Sequence, residues 1–157
     1  MTPEQSAIVQ LNMVSEIGPK KLISLISCFG GAVNVLNAGV DELKKTGNLT
    51  EKAASAIKKI SDSGAIDEEI SLAEKNNVKI TTYIDPEYPA QLKDICDFPP
   101  VLYIKGTLKK NDNISVAVVG SRRPTNYGIS VTNHFCRYFA QNNICVISGL
   151  ARGIDTE

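Results

Sequence analysis

The sequence predicts an α+β chain in two parts, in which a helical module precedes a mixed segment with parallel strands. Through residues 1–62, apolar side chains recur at the three- and four-residue spacing of amphipathic helices. After residue 77 the pattern changes to short β-branched runs bounded by turn residues, which is typical of strands. The 157 residues, 43% hydrophobic and 22% charged, are enough for one ordinary domain or two small ones.

Capping signals place the helices of the first part. Thr2 and Gln5 fit a capping box around a first helix that begins at Pro3. Pro19 suits the first turn of a second helix, which the Gly30-Gly31 pair ends. We expect three further helices in this module, at about 32–37, 41–45 and 51–61, the last of them capped by Thr50.

A connecting helix over about 67–76 leads into the second part. The strands there are expected at about 78–84, 101–104, 115–120 and 144–147, with a short helix ending near Asp94, a turn at 111–113 and a long helix at 127–142. A strand, a helix and another strand at this spacing form a parallel βαβ unit with a right-handed crossover. We therefore divide the chain into a helix-hairpin-helix or SAM-like domain (1–62), a connector (63–77) and the N-terminal part of a Rossmann-like α/β domain (78–157).

Burial follows from the same patterns. The strand at 115–120 is apolar almost throughout, so we expect it to be buried on both faces of the sheet. The long helix is expected to face the sheet with Val131, Phe135, Tyr138 and Phe139. Three cysteines in apolar contexts are expected to be buried thiols of a reducing compartment, namely Cys28, Cys136 and Cys145.

Several classes of site and location are not indicated. The four cysteines form no C-x-x-C pair and there is one histidine, so a structural metal is not expected. Neither a secretory signal nor an apolar run of membrane-spanning length occurs, so we expect a cytosolic protein without a membrane partner. No Ser/His/Asp or Cys/His arrangement points to catalysis. His134 is expected to be structural, and Asp155 has no visible acid–base partner.

The first candidate site is the loop at 120–128, because it follows a buried strand and precedes a helix, where open α/β sheets bind phosphate. Glycine lets the backbone approach an anion, hydroxyls donate hydrogen bonds, and arginine supplies a forked guanidinium. The helix start adds a partial positive charge, and an aromatic side chain can stack a base. The candidate residues are Gly120, Ser121, Arg122, Arg123, Thr125, Tyr127 and Gly128. The loop lacks the G-x-G-x-x-G pattern, so no dinucleotide cofactor is expected, and a purely structural loop is the alternative.

A second glycine-rich loop follows the last strand and supplies Ser148, Gly149, Arg152 and Gly153. Loops at the carboxyl ends of neighbouring parallel strands form the crevice of an open α/β sheet, so we expect both loops to face one anion. An ordinary connection between elements is the alternative. From Lys109 onward the chain carries six basic and three acidic side chains, although the whole chain is neutral. This local excess is compatible with phosphate binding or with scattered solvated charge.

A third candidate lies in the helical module, where Gly18, Lys20 and Lys21 stand in a turn between two helices. Such a turn resembles a helix-hairpin-helix motif, which offers backbone N–H groups to a nucleic-acid phosphate. A degenerate second copy is expected over 41–60, with Asn48-Leu49 as its turn. The alternative, favoured by the acidic surroundings, is a structural helix pair without DNA contact.

These residues resemble the DNA-processing protein A (DprA/Smf) family. The resemblance is carried by Tyr88-Pro-x-x-Leu92, 100–103, Lys105-Gly106, 116–122, Tyr127-Gly128 and 148–155, and by a helical N-terminal domain. It implies a protein, not an enzyme, that binds and protects single-stranded DNA in natural transformation and loads the RecA recombinase onto it. It also implies a homodimer, and Arg122 matches the DNA-contacting arginine of the family's Gly-Ser-Arg loop.

Proteins of that family continue beyond the point that corresponds to Glu157, so we expect a fragment with an unpaired sheet edge, marginal stability and weak or absent binding and dimerisation. Two rival functions remain. One is a nucleotide-processing Rossmann enzyme of the nucleoside-monophosphate phosphoribohydrolase type, although its Pro-Gly-Gly loop and Arg/Glu pair are not visible. The other is a protein-interaction module in which the helical half docks a partner.

Overall fold

The computed structural model describes residues 1–45, 49–108 and 114–157. Helices come first and strands later, and about half of the residues are helical. The chain divides into two units by its contacts, residues 1–106 and residues 107–157. The predicted α+β class, with helices preceding strands, is confirmed.

Six helices lie in the described part of the first unit, and the capping signals for the first, second and fifth are confirmed. Thr2 and Gln5 form the reciprocal capping box, Thr50 accepts the Ala53 N–H, and Pro19 opens the second helix. That helix ends at Gly30, whose φ of +70° requires glycine. The helices are α1 (Pro3–Asn12), α2 (Pro19–Phe29), α3 (Ala32–Asn37), α4 (Val40–Lys45), α5 (Glu51–Ser61) and α6 (Ala65–Lys75). The proposed turn residue Asn48 lies outside the described residues.

The core of this unit forms around α1, which packs against α2, α3, α5 and α6. Its Ile8, Val9 and Leu11 are fully buried among side chains of the neighbouring helices, including Leu22, Leu43 and Ile57. A second link is polar, because the Glu4 carboxylate accepts the backbone N–H groups of Ala32 and Val33 at the start of α3. Gly31, which precedes α3, supplies no side-chain cap, so α1 caps a helix that is distant in sequence.

A hairpin completes the first unit. β1 (Lys79–Thr82) pairs antiparallel with β2 (Val101–Ile104), so that Thr82 lies opposite Val101. Both strands contact α1, and Val101 joins the helical core. A 3₁₀ helix (Ala90–Asp94) lies between them in the chain. The contacts of β1 and β2 therefore group these strands with the helices, although the sequence pattern changes from helical to strand-like at residue 77.

The second unit contains a parallel strand pair and one helix. β3 (Ser115–Ala117) pairs parallel with β4 (Cys145–Ile147), and α7 (Asn126–Gln141) connects them and packs against β4. A 3₁₀ helix (Ile154–Thr156) follows. The predicted parallel pair with an intervening helix is confirmed, and the turn expected at 111–113 lies outside the described residues.

Burial in the second unit differs from the expectation. The predicted strand at 115–120, buried on both faces, is wrong: β3 has three residues, of which Ser115 and Ala117 are exposed. Phe135 and Tyr138 on α7 are 52% and 57% exposed, so their predicted place against the sheet is also wrong. The physical reason is that a single helix packs on a two-stranded sheet among the described residues, which leaves much apolar surface uncovered. Val131 and Phe139 are partly buried as expected.

The cysteines are not the buried thiols that the sequence predicted. Cys28 is exposed, and Cys136 and Cys145 are partly buried. Cys28 lies off the stripe that α2 turns toward the core, which consists of Leu22, Leu25 and Ile26. Within the described ranges, no helix is long and apolar enough to span a membrane, and no cluster of three metal-ligating side chains is found.

Candidate nucleic-acid interface

The structure brings the two predicted loops together at the carboxyl ends of β3 and β4. Two hydrogen bonds join them: the Ile154 N–H donates to the Ser121 carbonyl oxygen at 3.1 Å, and the Gly120 N–H donates to Asp155 Oδ1 at 3.1 Å. The Val118 N–H also donates to the Ile147 carbonyl oxygen at 2.9 Å, which continues the pairing beyond the strands. We call residues 118–125 and 148–156 the loop pair.

Glycines allow this close contact. A Cβ on Gly153, whose φ is +103°, would lie 2.2 Å from the Ser121 carbonyl oxygen and 2.7 Å from the Arg122 Cα. A Cβ on Gly120 would lie 2.7 Å from the Ile154 Cβ. The sequence assigned Gly120 to backbone approach of an anion, but the structure gives it a packing role, and its N–H is directed at Asp155.

Four hydroxyl side chains brace the loop pair, and one of them, Thr156, donates to the Gly153 carbonyl oxygen at 2.9 Å. Thr125 is the N-cap of α7 and accepts the Gly128 N–H at 3.1 Å. Ser121 Oγ accepts the Arg123 N–H at 3.1 Å, and Ser148 Oγ donates to the Asp155 carbonyl oxygen at 2.6 Å. A hydroxyl can accept and donate at the same time. Ser121 and Thr125 act as acceptors here, so each keeps a hydrogen to donate to an anion.

The charged groups of the loop pair face solvent. Arg122, Arg123 and Arg152 are exposed, and no ion pair joins them to an acidic side chain of the described residues. The N-terminus of α7, with its unsatisfied N–H groups, begins in the same loop. Tyr127 in the first turn of α7 is 79% exposed, so its ring is available for stacking. The arrangement offers guanidinium, hydroxyl and aromatic groups to a ligand.

Sequence reasoning missed the role of Asp155, which it considered as an acid or base without a partner. Its partner is the Gly120 N–H, and the carboxylate lies beside Gly149, where an added Cβ would be 3.2 Å from Oδ2. A carboxylate directly after a glycine-rich turn is the signal that could have indicated such a brace. Ile154 was likewise missed, because its packing partner is distant in sequence.

The part of the chain that contains the loop pair matches a protein family. The family model described as DNA recombination-mediator protein A matches residues 79–157, which is half of the chain. The chain belongs to this family. The match contains the whole loop pair and none of the helices α1–α6.

Individual relatives agree with the family. The chain is 40% identical over 70 residues to the DNA processing protein DprA of Bacillus subtilis, covering 44% of this chain and 24% of that protein. It is 41% identical over 68 residues to Protein Smf of Escherichia coli, covering 43% and 18%. It is 31% identical over 106 residues to Protein Smf of Borreliella burgdorferi, covering 68% and 34%. The chain thus matches between 18% and 34% of the length of these curated relatives.

The candidate site in the helical module, at Gly18, Lys20 and Lys21, has no close glycine contact of the kind found in the loop pair. Gly18 precedes α2 with an ordinary φ of −81° and open space beside it, so the turn does not use the conformational freedom of glycine. The first turn of α2 shares a shallow pocket with Cys96, Asp97 and Phe98. A side-chain hydrogen bond with Cys96 and the nearby charge of Asp97 raise the pKa of Lys20. Lys20 and Lys21 are both exposed, and Lys20 lines the pocket that also contains Cys96 and Asp97.

Proposed function

We propose that the chain binds single-stranded DNA through the loop pair and takes part in DNA processing during natural transformation. The observation that carries this proposal is the exposure of Arg122, Arg123 and Arg152, without ion-pair partners among the described residues, on two loops joined by hydrogen bonds. Membership of the DNA recombination-mediator family supports DNA as the ligand. The proposal is binding without turnover, because the Asp155 carboxylate is used to hold the Gly120 N–H.

The geometry supports a division of work between the groups. Arginine guanidinium forks bind phosphate oxygens in pairs, and the hydroxyls of Ser121 and Thr125 donate to the same oxygens. The first turn of α7 adds N–H groups and a partial positive charge. Tyr127 stacks on a base, which requires a strand whose bases are open. The loop pair would therefore prefer single strands to duplexes.

Wider assignments rest on the relatives of this chain. We propose that residues 78–157 form part of a Rossmann-like domain and that residues 1–62 form a helix-hairpin-helix or SAM-like domain. We also propose that the protein acts in the cytosol as a homodimer and cooperates with a RecA recombinase. Membership of the DNA recombination-mediator family and similarity to the DNA processing proteins DprA of Bacillus subtilis and Streptococcus pneumoniae support a part in DNA recombination.

The proposal is tested by fluorescence anisotropy of a labelled oligo-dT of about 20 nucleotides, a length that exceeds the usual site size of a single fold. The logarithm of affinity should fall with the logarithm of salt concentration by about 0.7 per phosphate neutralised. Arg122→Ala should weaken binding about tenfold, because a charge-assisted contact is lost. It should also reduce the salt slope by about 0.7, the value for one phosphate.

Arg137→Ala is the matched control, since Arg137 is an exposed arginine in the body of α7 and outside the loop pair. It should leave the affinity nearly unchanged. Equal losses in both variants would contradict the proposed site and indicate diffuse attraction. Tight mononucleotide binding with a shallow salt slope would favour the phosphoribohydrolase alternative, and no nucleic-acid binding would favour a docking module.

The helical turn is tested with Lys20→Ala and Lys21→Ala combined. Because Cys96 and Asp97 line the same pocket as Lys20, and the Asp97 carboxylate offsets its charge, we propose that this turn contributes little to DNA binding. The double variant should change the oligo-dT affinity by less than about threefold, a difference of well under 1.4 kcal/mol. A loss as large as that of Arg122→Ala would show that the helical module is a second DNA contact.

A further inference from the structure

Leu150, in the loop that follows β4, has a left-handed backbone with a φ of +51°. This conformation brings the Cβ of an L-residue close to the following carbonyl oxygen, so it costs free energy. The other non-glycine residues with positive φ in the described chain are Asn77 and Asn143, and asparagine tolerates the region because its amide bonds locally. A leucine has no such compensation, and Leu150 is therefore a strained position.

Packing does not offset this cost, because the Leu150 side chain is 77% exposed. The surrounding loop holds the conformation instead. The Leu150 N–H donates to Ser148 Oγ at 3.2 Å, and the same hydroxyl donates to the Asp155 carbonyl oxygen at 2.6 Å. Strained residues persist where their surroundings over-determine them, and they cluster at ligand-binding sites. The fold thus holds an apolar side chain in solvent at a cost to its own stability.

The surroundings of Leu150 indicate what this side chain meets. Arg152 is exposed two residues later, and Gly153 brings the same loop against the backbone of Arg122. An exposed apolar side chain on the same loop pair as exposed arginines fits a ligand that has apolar faces along an anionic backbone. A nucleic-acid strand has both, and its base faces are open only when it is single-stranded.

We propose that the Leu150 side chain contacts a nucleobase of a single strand whose phosphates are bound by Arg122 and Arg152. This inference rests on the proposed function and assigns the base contact within it. Aliphatic side chains are known to insert at base steps, where they replace stacking and take apolar surface out of water. The strained backbone at Leu150 then keeps the side chain in position for a base before binding. The side chain contributes to affinity, whereas the strain lowers the stability of the fold.

The test compares oligo-dT with an abasic deoxyribose-phosphate strand. Both are about 20 units long, which exceeds the usual site size of a single fold. The key variant is Leu150→Asn in the full chain, because asparagine accepts the left-handed conformation and removes the apolar tip. It should weaken oligo-dT binding about five- to tenfold, leave abasic-strand binding unchanged and leave the salt slope unchanged. Arg122→Ala should weaken binding to both strands.

Thermal unfolding provides a second readout. Leu150→Asn should unfold at the same temperature as the wild type or higher, because it relieves strain, so weaker binding cannot come from a damaged fold. Equal losses on both strands, or no loss on either, would overturn the base contact while leaving the phosphate site intact. A wild-type chain that binds neither strand would overturn the proposed function and this inference together. Binding to anionic phospholipid vesicles that depends on Leu150, with oligonucleotide binding unaffected, would assign the surface to a membrane and overturn the inference.

Discussion

Asp155 Oδ1 accepts the backbone N–H of Gly120 at 3.1 Å, although the two residues are 35 positions apart in the chain. The bond spans from the turn after β4 to the turn after β3, and the Ile154–Ser121 backbone bond runs beside it. The arginines of one loop are therefore positioned by residues of the other. A fixed backbone beneath the arginines leaves only their side chains to be ordered on binding, which lowers the entropy cost.

Removal of the Asp155 carboxylate should loosen this junction. For Asp155→Ala we expect a loss of about 1 kcal/mol of unfolding free energy, because a hydrogen bond between the loops is removed. The loss stays small because Gly120 is exposed and its N–H can donate to water instead. Amide hydrogen exchange at Gly120, followed by NMR, should become faster. Asp155→Asn keeps an acceptor oxygen and is the control. Similar exchange rates in the two variants would show that the carboxylate does not hold the loop.

The contact at Gly153 should be the least tolerant of substitution. In Gly153→Ala the new Cβ would lie 2.2 Å from the Ser121 carbonyl oxygen, and the φ of +103° is unfavourable for any side chain. We expect a loss of about 3 kcal/mol or more, measured by urea unfolding, together with weaker oligo-dT binding.

Gly128→Ala is the control for that experiment, because it lies in the first turn of α7 and its added Cβ meets neighbours at ordinary distances of 3.5 Å or more. It should be neutral or should stabilise by about 0.5–1 kcal/mol through helix propensity. If Gly153→Ala proved as stable as Gly128→Ala, the close contact between the two loops would be wrong.

Local signals account for what the sequence predicted well. Thr2, Pro19 and Thr50 act within one helical turn of themselves, so capping rules place the helix starts without knowledge of the fold. The same holds for the parallel pair, because a strand, a helix and a strand in succession leave few topologies open. That the loops after β3 and β4 lie together was also predictable, because the carboxyl ends of neighbouring parallel strands meet at one edge of a sheet.

Contacts between distant residues account for what the sequence could not show. Whether Phe135 and Tyr138 are covered depends on which other elements pack against α7, and helical periodicity says nothing about that. The role of Gly120 depends on Ile154, which fills the space beside it. The strain at Leu150 depends on a loop conformation that no local pattern predicts.

The cap that α1 provides to α3 should be measurable as stability. The Glu4 carboxylate accepts the N–H groups of Ala32 and Val33, and no side chain of the adjoining Gly31 can replace it. For Glu4→Ala we expect a loss of about 1–2 kcal/mol in urea unfolding, the usual cost of a lost N-cap. Lys52→Ala is the control, since its ion pair with Glu16 is screened by solvent and its loss should change the stability much less. Equal effects of the two substitutions would contradict the cap.

The hydroxyl of Tyr88 should link the stability of the first unit to alkaline pH. Tyr88 is 4% exposed, its hydroxyl donates to the Pro99 carbonyl oxygen at 2.6 Å, and its ring meets Phe98 edge to face. Burial raises the pKa of Tyr88. The folded state therefore holds the phenol proton more tightly than the unfolded state, whose pKa is about 10. The stability that this proton contributes is complete below pH 10 or so and is lost as pH rises toward the folded-state pKa.

For Tyr88→Phe we accordingly expect a loss of about 1 kcal/mol at neutral pH from the missing hydrogen bond. We also expect a smaller decline of stability across the alkaline range in urea unfolding at a series of pH values. Part of the decline should remain, because burial also raises the pKa of Tyr83 and of Tyr103. Tyr127→Phe is the control, since that side chain is 79% exposed, and it should leave both the neutral stability and the alkaline decline unchanged. An alkaline decline that is the same in Tyr88→Phe as in the wild type would mean that the buried phenol does not titrate with unfolding.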